Sequence, residues 1–173
     1  VLLLHGYPET HAMWHKVAPA LARDYTVVCA DLRGYGDSSK PKGLPDHSNY
    51  SKRAMAKDMV EVMAALGHRH FHVVGHDRGA RVAHRLARDH AKRVRSLTVL
   101  DISPTLTMYR RTDQDFATAY YHWFFLIQKA PLPEMLLAKQ VPHYIIGRIG
   151  RGPGGIRVFD RNALKEYVRA FRD

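Results

Sequence analysis

The sequence predicts an α/β fold in which helices cover both faces of a parallel β-sheet. Short, almost continuously apolar runs indicate strands at Val1–Leu4, Thr26–Ala30, Phe71–Gly75 and Ser96–Asp101. Segments with helical periodicity separate these runs, and alternation of strand and helix is typical of a parallel sheet with right-handed crossovers. Strands that are covered on both faces lack the apolar–polar alternation of half-exposed strands, so nearly continuous apolar runs are expected here.

Apolar residues at helical spacing predict the helices that connect the strands. A first helix is expected around Trp14–Leu21. The second has its apolar face at Met55, Met59, Val62 and Leu66. Ser51 is placed to cap the start of that helix, and Gly67 is placed to end it. The third helix should run from about Gly79 to His90.

The alternation of strands and helices stops after Asp101. From Pro104 onward the pattern is helical and aromatic, with large residues at Phe116, Tyr120, Trp123, Phe124 and Ile127. The glycine-rich segment Gly147–Gly155 predicts an irregular surface loop, and Ala163–Phe171 predicts a final helix. We therefore expect a core with a parallel sheet over residues 1–103 and a helical part over residues 104–173.

Composition limits the classes of function. The chain has 173 residues, of which 46% are apolar and 25% charged, as in an ordinary globular domain. A single cysteine excludes an intramolecular disulfide, and no apolar run approaches the roughly 18 residues of a membrane span. The 27 Lys and Arg against 16 Asp and Glu give a net charge of +11, which attracts anions. The basic residues are spread without a nucleic-acid-binding motif, so neither nucleic acid nor a membrane is the expected partner.

The strongest chemical signal lies in residues 75–79. An apolar strand ends in Gly75-His76-Asp77-Arg78-Gly79, and a predicted helix follows at once. This Gly-x-nucleophile-x-Gly order is the nucleophile elbow, with Asp77 where hydrolases of esters carry serine. The small flanking residues allow the chain to turn sharply, and the N-terminus of the helix stabilises the carboxylate.

A carboxylate at the elbow predicts a particular reaction. It is suited to displacing a leaving group from sp³ carbon, which gives an alkyl ester on Asp77 that water then hydrolyses. The oxyanion of the second step needs backbone N–H donors. One candidate is the N–H of Arg78, directly after the nucleophile. The other is the N–H of Tyr7 in the loop His5–Pro8, which follows the first strand.

Three motifs, in order, make the chain resemble the α/β-hydrolases, in the branch of haloalkane dehalogenases and epoxide hydrolases that uses an aspartate nucleophile. They are His5–Thr10, Asp31–Ser38 and Gly75–Asp77. Within that branch the sequence is most similar to fluoroacetate dehalogenases, at His76–Arg81, Leu100–Ile102, Tyr121–Trp123 and Ala130–Glu134. The resemblance implies an α/β-hydrolase core with a helical cap. We expect the chain to be a fragment that lacks the first two and last two strands of the family.

The resemblance also implies roles for four charged residues. Asp77 is expected to be the nucleophile, and Asp101 the acid that orients the catalytic histidine. Arg78 and Arg81 are expected to bind the substrate carboxylate, because fluoroacetate dehalogenases use the matching pair in this way. A guanidinium forks onto a carboxylate with two hydrogen bonds. Epoxide hydrolases and haloalkane dehalogenases typically carry Trp at the position of Arg78.

His122 and Trp123 match the halide site of the family, where ring N–H groups donate to the departing halide. The tyrosine of that site is expected beyond residue 173. So is the catalytic histidine, because all twelve histidines lie at or before His143. The resemblance implies neither a cofactor nor a metal. It suggests a cytoplasmic, homodimeric enzyme that acts on the carbon–halide bond of a small anionic haloacid.

Two other functions stay open at the level of the sequence. An epoxide hydrolase would use the same core, with a tyrosine of the cap to protonate the epoxide oxygen and with no evident role for Arg78. A catalytically inactive, basic binding protein is favoured by the net charge and by the missing histidine. Halide release from fluoroacetate would separate these alternatives.

Overall fold

The structure, a computed structural model, describes residues 1–172, and these contain four strands and nine α-helices. The strands are β1 (Leu2–Leu4), β2 (Val28–Ala30), β3 (Phe71–His76) and β4 (Val94–Leu100). The helices are α1 (Ala18–Leu21), α2 (Lys52–Ala65), α3 (Asp77–Asp89), α4 (Thr105–Arg110), α5 (Gln114–Ala119), α6 (Tyr121–Phe125), α7 (Leu132–Leu137), α8 (Val141–Ile149) and α9 (Arg161–Ala170). The predicted α/β class is confirmed. None of the described helices combines the length and apolar character needed to cross a membrane.

The strands form one parallel sheet in the order β2-β1-β3-β4. The connection after β1 leads to one side of it, and the connection after β2 returns to its other side. The carboxyl ends of β1 and β3 therefore flank the point where the strand order reverses, which is where open α/β sheets bind their ligands. β1 lies between β2 and β3, and accordingly Leu2, Leu3 and Leu4 are fully buried.

Two long helices cover the sheet and build the core. α2 buries Met55, Ala56, Met59 and Met63, and α3 buries Gly79, Ala80, Val82, Ala83 and Leu86. The predicted cap of α2 is present, since the Ser51 hydroxyl accepts from the N–H of Ala54 at 3.2 Å. Gly67 follows the helix with φ +84°, a conformation that favours glycine. The predicted helix around Trp14–Leu21 is instead a 3₁₀ turn, His11–Trp14, followed by the single turn α1.

β4 departs from the expectation that all strands are covered on both faces. Its side chains are largely exposed, with Leu97, Val99 and Leu100 each 37–44% accessible. β4 pairs with β3 on one side, and none of the strands in residues 1–172 pairs with its other edge. Apolar content alone therefore predicted the strand but not its burial, which depends on neighbours outside the strand.

The chain divides into two compact units, Val1–Ile102 with Phe159–Phe171, and Ser103–Val158. The sequence assigned residues 104–173 to a single helical part, whereas α9 belongs to the sheet-containing unit. Asp160 caps α9 by accepting from the N–H groups of Asn162 and Ala163, at 2.8 and 3.0 Å. The helix buries one face, Ala163, Tyr167 and Ala170. Helical periodicity predicts such a face but does not say which unit covers it.

The second unit consists of the short helices α4 to α8 around an aromatic cluster. Phe116 and Tyr120 stack with ring centroids 4.8 Å apart, and Trp123 lies 5.3 Å from Tyr109. The aromatic segment is split at Tyr120 into α5 and α6 rather than forming one helix. The prediction of an irregular loop over Gly147–Gly155 is wrong at its start, because α8 continues through Ile149 despite its glycine. Tertiary packing overrides the low helix propensity of one glycine.

Candidate active site

Asp77 lies at a sharp junction between β3 and α3. Its backbone is in the left-handed region, with φ 44°, a strained conformation for a residue other than glycine. The two flanking glycines allow it because other backbone comes very close. A Cβ on Gly75 would lie 2.5 Å from the carbonyl oxygen of Gly79, and a Cβ on Gly79 would collide with the carbonyl of Leu4. The elbow geometry thus needs glycine at both positions.

The loop after β1 meets the nucleophile. The backbone N–H of Tyr7 donates to Asp77 Oδ1 at 3.0 Å. The N–H of Gly79 donates to the carbonyl of His5 at 2.9 Å, which ties the first turn of α3 to the same loop. The predicted oxyanion donor Tyr7 therefore already contacts one carboxylate oxygen. Such a contact orients the carboxylate, so Oδ1 and Oδ2 are no longer equivalent.

Asp101 follows β4 at the same edge of the sheet. The residues that precede the two acids, His76 and Leu100, are register partners in the β3–β4 pair. Asp101 shares the left-handed backbone of Asp77, with φ 51°, but its residue is exposed. The structure therefore brings the two predicted carboxylates to neighbouring strand ends, as the parallel sheet requires.

Arg78 and Arg81 lie in the first turn of α3, three residues apart and both partly buried. The Arg78 guanidinium carbon is 5.9 Å from the centre of the Tyr7 ring, at the outer range of a cation–π contact. This spacing puts the two cations on neighbouring faces of one turn, beside the nucleophile. The pair is suited to binding a small carboxylate.

Lys52 is a third cation near Arg78 and Arg81, and sequence reasoning did not select it. It begins α2, and its Nζ lies 3.9 Å from the sulfur of Met55. Burial, followed by the charges of Arg78 and Arg81, lowers the pKa of Lys52 to about 7, although Asp77 acts in the opposite direction. The one signal in the sequence is that a lysine at a helix start opposes the helix dipole.

A second missed feature lies behind the elbow. His76 Nδ1 is 3.3 Å from Glu9 Oε2, and the side chains are 26% and 11% exposed. The Glu9 carboxylate raises the pKa of His76, and burial only partly opposes this effect. Sequence analysis identified Glu9 and His76 only as members of two family motifs. It did not predict their contact, because their proximity depends on how β1 and β3 pair.

An open cavity of about 310 Å³ adjoins these groups. It is lined by Tyr7, Glu9, Arg33, Lys40, Arg78 and Tyr167, among others, so both cations and apolar rings face it. Within residues 1–172 no three His, Cys, Asp or Glu side chains are grouped so that they could hold a metal ion. The cavity thus presents basic side chains, the Glu9 carboxylate and tyrosine rings to a ligand.

The predicted halide residues lie in the second unit, on α6. His122 is buried, and its Nε2 is 3.1 Å from an N–H nitrogen of the Arg148 side chain. A guanidinium can only donate, so this His122 Nε2 is the acceptor and a neutral ring carries its proton on Nδ1. Sequence reasoning did not find Arg148.

Several known proteins are similar to this chain. Residues 1–140 match the family model described as alpha/beta hydrolase fold. A fluoroacetate dehalogenase from Burkholderia sp. is 53% identical over 174 residues, which cover 100% of this chain and 57% of that enzyme. A soluble epoxide hydrolase from Corynebacterium sp. (strain C12) is 42% identical over 106 residues, which cover 61% of this chain and 35% of that enzyme.

The similarity extends to three dimensions. The crystal structure of ALR0039 from Nostoc sp. PCC 7120 superposes with a TM-score of 0.94 at 59% identity, over 99% of this chain and 59% of that one. The chain thus spans less than two thirds of the length of the relatives that it matches.

Proposed function

Since this chain belongs to the α/β-hydrolase family, we propose that the protein containing it is a hydrolytic dehalogenase of short 2-haloacids. It would convert fluoroacetate or a similar haloacetate to glycolate and halide through an ester on Asp77. One observation carries the proposal: the elbow carboxylate, held by the N–H of Tyr7 at 3.0 Å, is followed at once by Arg78. A nucleophile next to a carboxylate-binding cation selects an anionic substrate.

In the first step Asp77 displaces the halide. Oδ1 is held by Tyr7, so Oδ2 attacks the carbon that bears the halogen. The new O–C bond forms as the carbon–halogen bond breaks, and the bonding electron pair leaves with the halide. Arg78 and Arg81 neutralise the substrate carboxylate, which would otherwise be repelled by the nucleophile. His122 and Trp123 are the proposed halide-binding residues, because they match the halide site of fluoroacetate dehalogenases.

In the second step water hydrolyses the ester. Water attacks Cγ of Asp77 and gives its proton to a histidine that Asp101 orients. We assign this histidine to the part of the protein outside this chain. The negative charge develops on Oδ1, where the N–H groups of Tyr7 and Arg78 stabilise it. Collapse of this intermediate breaks the Cγ–Oδ2 bond, and the released alkoxide takes a proton to become glycolate. No step needs a cofactor or a metal.

The similarity to the Burkholderia fluoroacetate dehalogenase, 53% identical over the whole chain, supports this substrate class. We further propose a cytoplasmic homodimer with a small haloacid as its ligand and no nucleic-acid or membrane partner. An epoxide hydrolase is the second candidate, because the Corynebacterium enzyme is 42% identical over 106 residues. It would form the same Asp77 ester but would give Arg78 no substrate charge to bind.

Single-turnover hydrolysis in H₂¹⁸O tests the proposed chemistry. With full-length enzyme in excess over fluoroacetate, we expect ¹⁸O in the Asp77 peptide and unlabelled glycolate, because water attacks Cγ of Asp77. Label in glycolate alone would mean direct attack by water and would contradict the ester. Turnover of a neutral epoxide without halide release from fluoroacetate would select the second candidate, and no turnover of either substrate would favour a binding protein. Asp77→Asn serves as the inactive control.

A further inference from the structure

Glu9 and His76 form an acid–base pair directly behind the nucleophile. Their nearest polar atoms, Oε2 and Nδ1, are 3.3 Å apart. Glu9 is only 9% exposed, and within residues 1–172 neither Oε2 of Glu9 nor Nδ1 of His76 makes a hydrogen bond, so their contact is an ion pair. A buried carboxylate is costly unless it is paired. Glu9 therefore depends on the charge of His76.

The pair joins the loop after β1, which carries Glu9, to the end of β3, which carries His76, and Gly6 is tightly packed between them. A Cβ on Gly6 would lie 2.7 Å from His76 Nδ1, 2.9 Å from Asp77 Cβ and 3.2 Å from Glu9 Oε2. Gly6 is thus enclosed by the nucleophile on one side and the pair on the other. The next residue, Tyr7, presents its N–H to Asp77 Oδ1 at 3.0 Å. Movement of Glu9 would therefore displace the N–H of Tyr7 from Asp77 Oδ1.

We propose that His76, protonated and paired with Glu9, is a positioning residue that holds the Tyr7 N–H in place for hydrolysis of the Asp77 ester. This inference rests on the proposed function, since it assigns a duty within the second step. Negative charge develops on Oδ1 only in that step, whereas in the first step the carboxylate loses charge. Displacement of the loop should therefore slow ester hydrolysis much more than halide release.

The charges around His76 favour its protonated form. Glu9 acts from the loop after β1, Asp77 from the start of α3 and Asp101 from the end of β4, and all three raise the pKa of His76 while burial lowers it. As the pH rises through that pKa, His76 becomes neutral and Glu9 is left as an uncompensated buried charge. We expect the rate of the second step to fall with this deprotonation, which gives it an alkaline limb above the ordinary histidine value of about 6.5.

The experiment compares Glu9→Gln, Glu9→Asp and a control in the full-length protein. The control is Glu61→Gln, because Glu61 pairs with Lys57 at the same 3.3 Å but on the exposed surface. Rapid quench measures the halide burst, steady-state turnover reports ester hydrolysis, and mass spectrometry measures the ester on Asp77. For Glu9→Gln we expect hydrolysis about 10-fold slower, below the 10²–10³-fold loss of a whole oxyanion donor. The burst should stay within about twofold and the ester should accumulate.

The pH profile separates positioning from a general structural role. Glu9→Gln should move the alkaline limb of ester hydrolysis to lower pH, and Glu9→Asp, which keeps the charge, should restore it. Equal losses in burst and hydrolysis, or an unmoved alkaline limb, would overturn the proposal. NMR titration of His76 needs no substrate: a pKa at or below that of a free histidine would overturn the pair. Absence of any Asp77 ester would instead refute the proposed function.

Discussion

The two sides of Asp77 differ in how their charges are balanced. On the side of the loop after β1, Glu9 faces His76, so opposite charges are paired. On the side of α2 and α3, Lys52 lies near Arg78 and Arg81, and burial, followed by these like charges, lowers the pKa of Lys52 to about 7. The side of Glu9 and His76 adjoins the loop that carries the Tyr7 N–H, whereas on the other side the charge of Lys52 is disfavoured by burial and by its cationic neighbours. Under the proposed function, the substrate carboxylate binds on the cationic side, and the oxyanion donor Tyr7 lies on the paired side.

The largest effect is expected when the cationic side loses a substrate contact. Arg81→Met should raise KM for chloroacetate about 10- to 150-fold, since a charge-assisted hydrogen bond contributes roughly 1.5–3 kcal/mol. Arg78→Met should reduce kcat as well, because the negative charge of the substrate must be neutralised before the substrate can approach the Asp77 carboxylate. The measurement is steady-state kinetics of the full-length enzyme on chloroacetate and on a neutral haloalkane or epoxide.

A matched control is available on the same helix. Arg85 lies one turn beyond Arg81 and pairs with Asp89 at 2.7 Å, so Arg85→Met should leave both substrates nearly unaffected. If Arg81→Met and Arg78→Met weaken the neutral substrate as much as chloroacetate, the arginines only support the fold. The epoxide hydrolase would then become the better assignment.

The comparison also separates what could be predicted from what could not. The elbow was predictable because Gly75, Asp77 and Gly79 lie within five consecutive residues, and the two glycines specify one local turn. The approach of Tyr7 to Asp77 was predictable as well, since parallel strands end at the same edge of the sheet.

Other features required the tertiary packing. From the sequence alone, Lys52 and Glu9 are expected to be ordinary exposed charged residues. Only the packing of α2 and of the first loop against α3 places them in a buried, charged environment. The unit against which α9 packs could not be predicted for the same reason, because the amphipathic pattern of the helix is the same whichever unit covers its apolar face. Local turns are thus encoded in short motifs, whereas electrostatic partners are fixed by the fold.

An intermediate effect is expected when the buried charge of Lys52 is removed. The pKa of Lys52 is about 7 in the folded protein against 10.5 for a free lysine, so the folded state holds this proton less tightly. Lys52→Met should therefore raise the free energy of unfolding on the order of 1–2 kcal/mol at or below pH 7. The gain should shrink between pH 7 and about 10.5.

Denaturant unfolding at several pH values measures this gain. Lys57→Met is the control, because Lys57 lies on the same helix but is 72% exposed. Sodium acetate, a carboxylate without a leaving group, should stabilise the unmodified protein more than the Lys52 variant. Equal stability of wild type and Lys52→Met at all pH values would show that burial and the neighbouring cations do not penalise the charge of Lys52 as inferred.

The smallest effect is expected on the paired side, where His76 and Glu9 stabilise each other. The pKa of His76 is raised in the folded protein, so the pair contributes its full stability below the unfolded pKa of about 6.5. It loses this contribution as the pH rises through the folded pKa. Glu9→Gln should therefore lower the free energy of unfolding by about 1 kcal/mol or less at pH 5.5–6, with a difference that shrinks under alkaline conditions.

The contribution of the His76–Glu9 pair to the free energy of unfolding is thus lost as the pH rises. An aspartate that is stabilised by cations behaves in the opposite way, because its contribution is lost as the pH falls. The two sides of Asp77 thus predict opposite responses. As the pH rises from about 6 to 9, the paired side loses stabilisation while the side with Lys52 loses repulsion. Thermal unfolding of the single and double variants, Glu9→Gln with Lys52→Met, should give additive changes, because neither Glu9 nor His76 is among the charges that shift the pKa of Lys52. A non-additive double variant would mean that both sides act on one shared charge, that of Asp77.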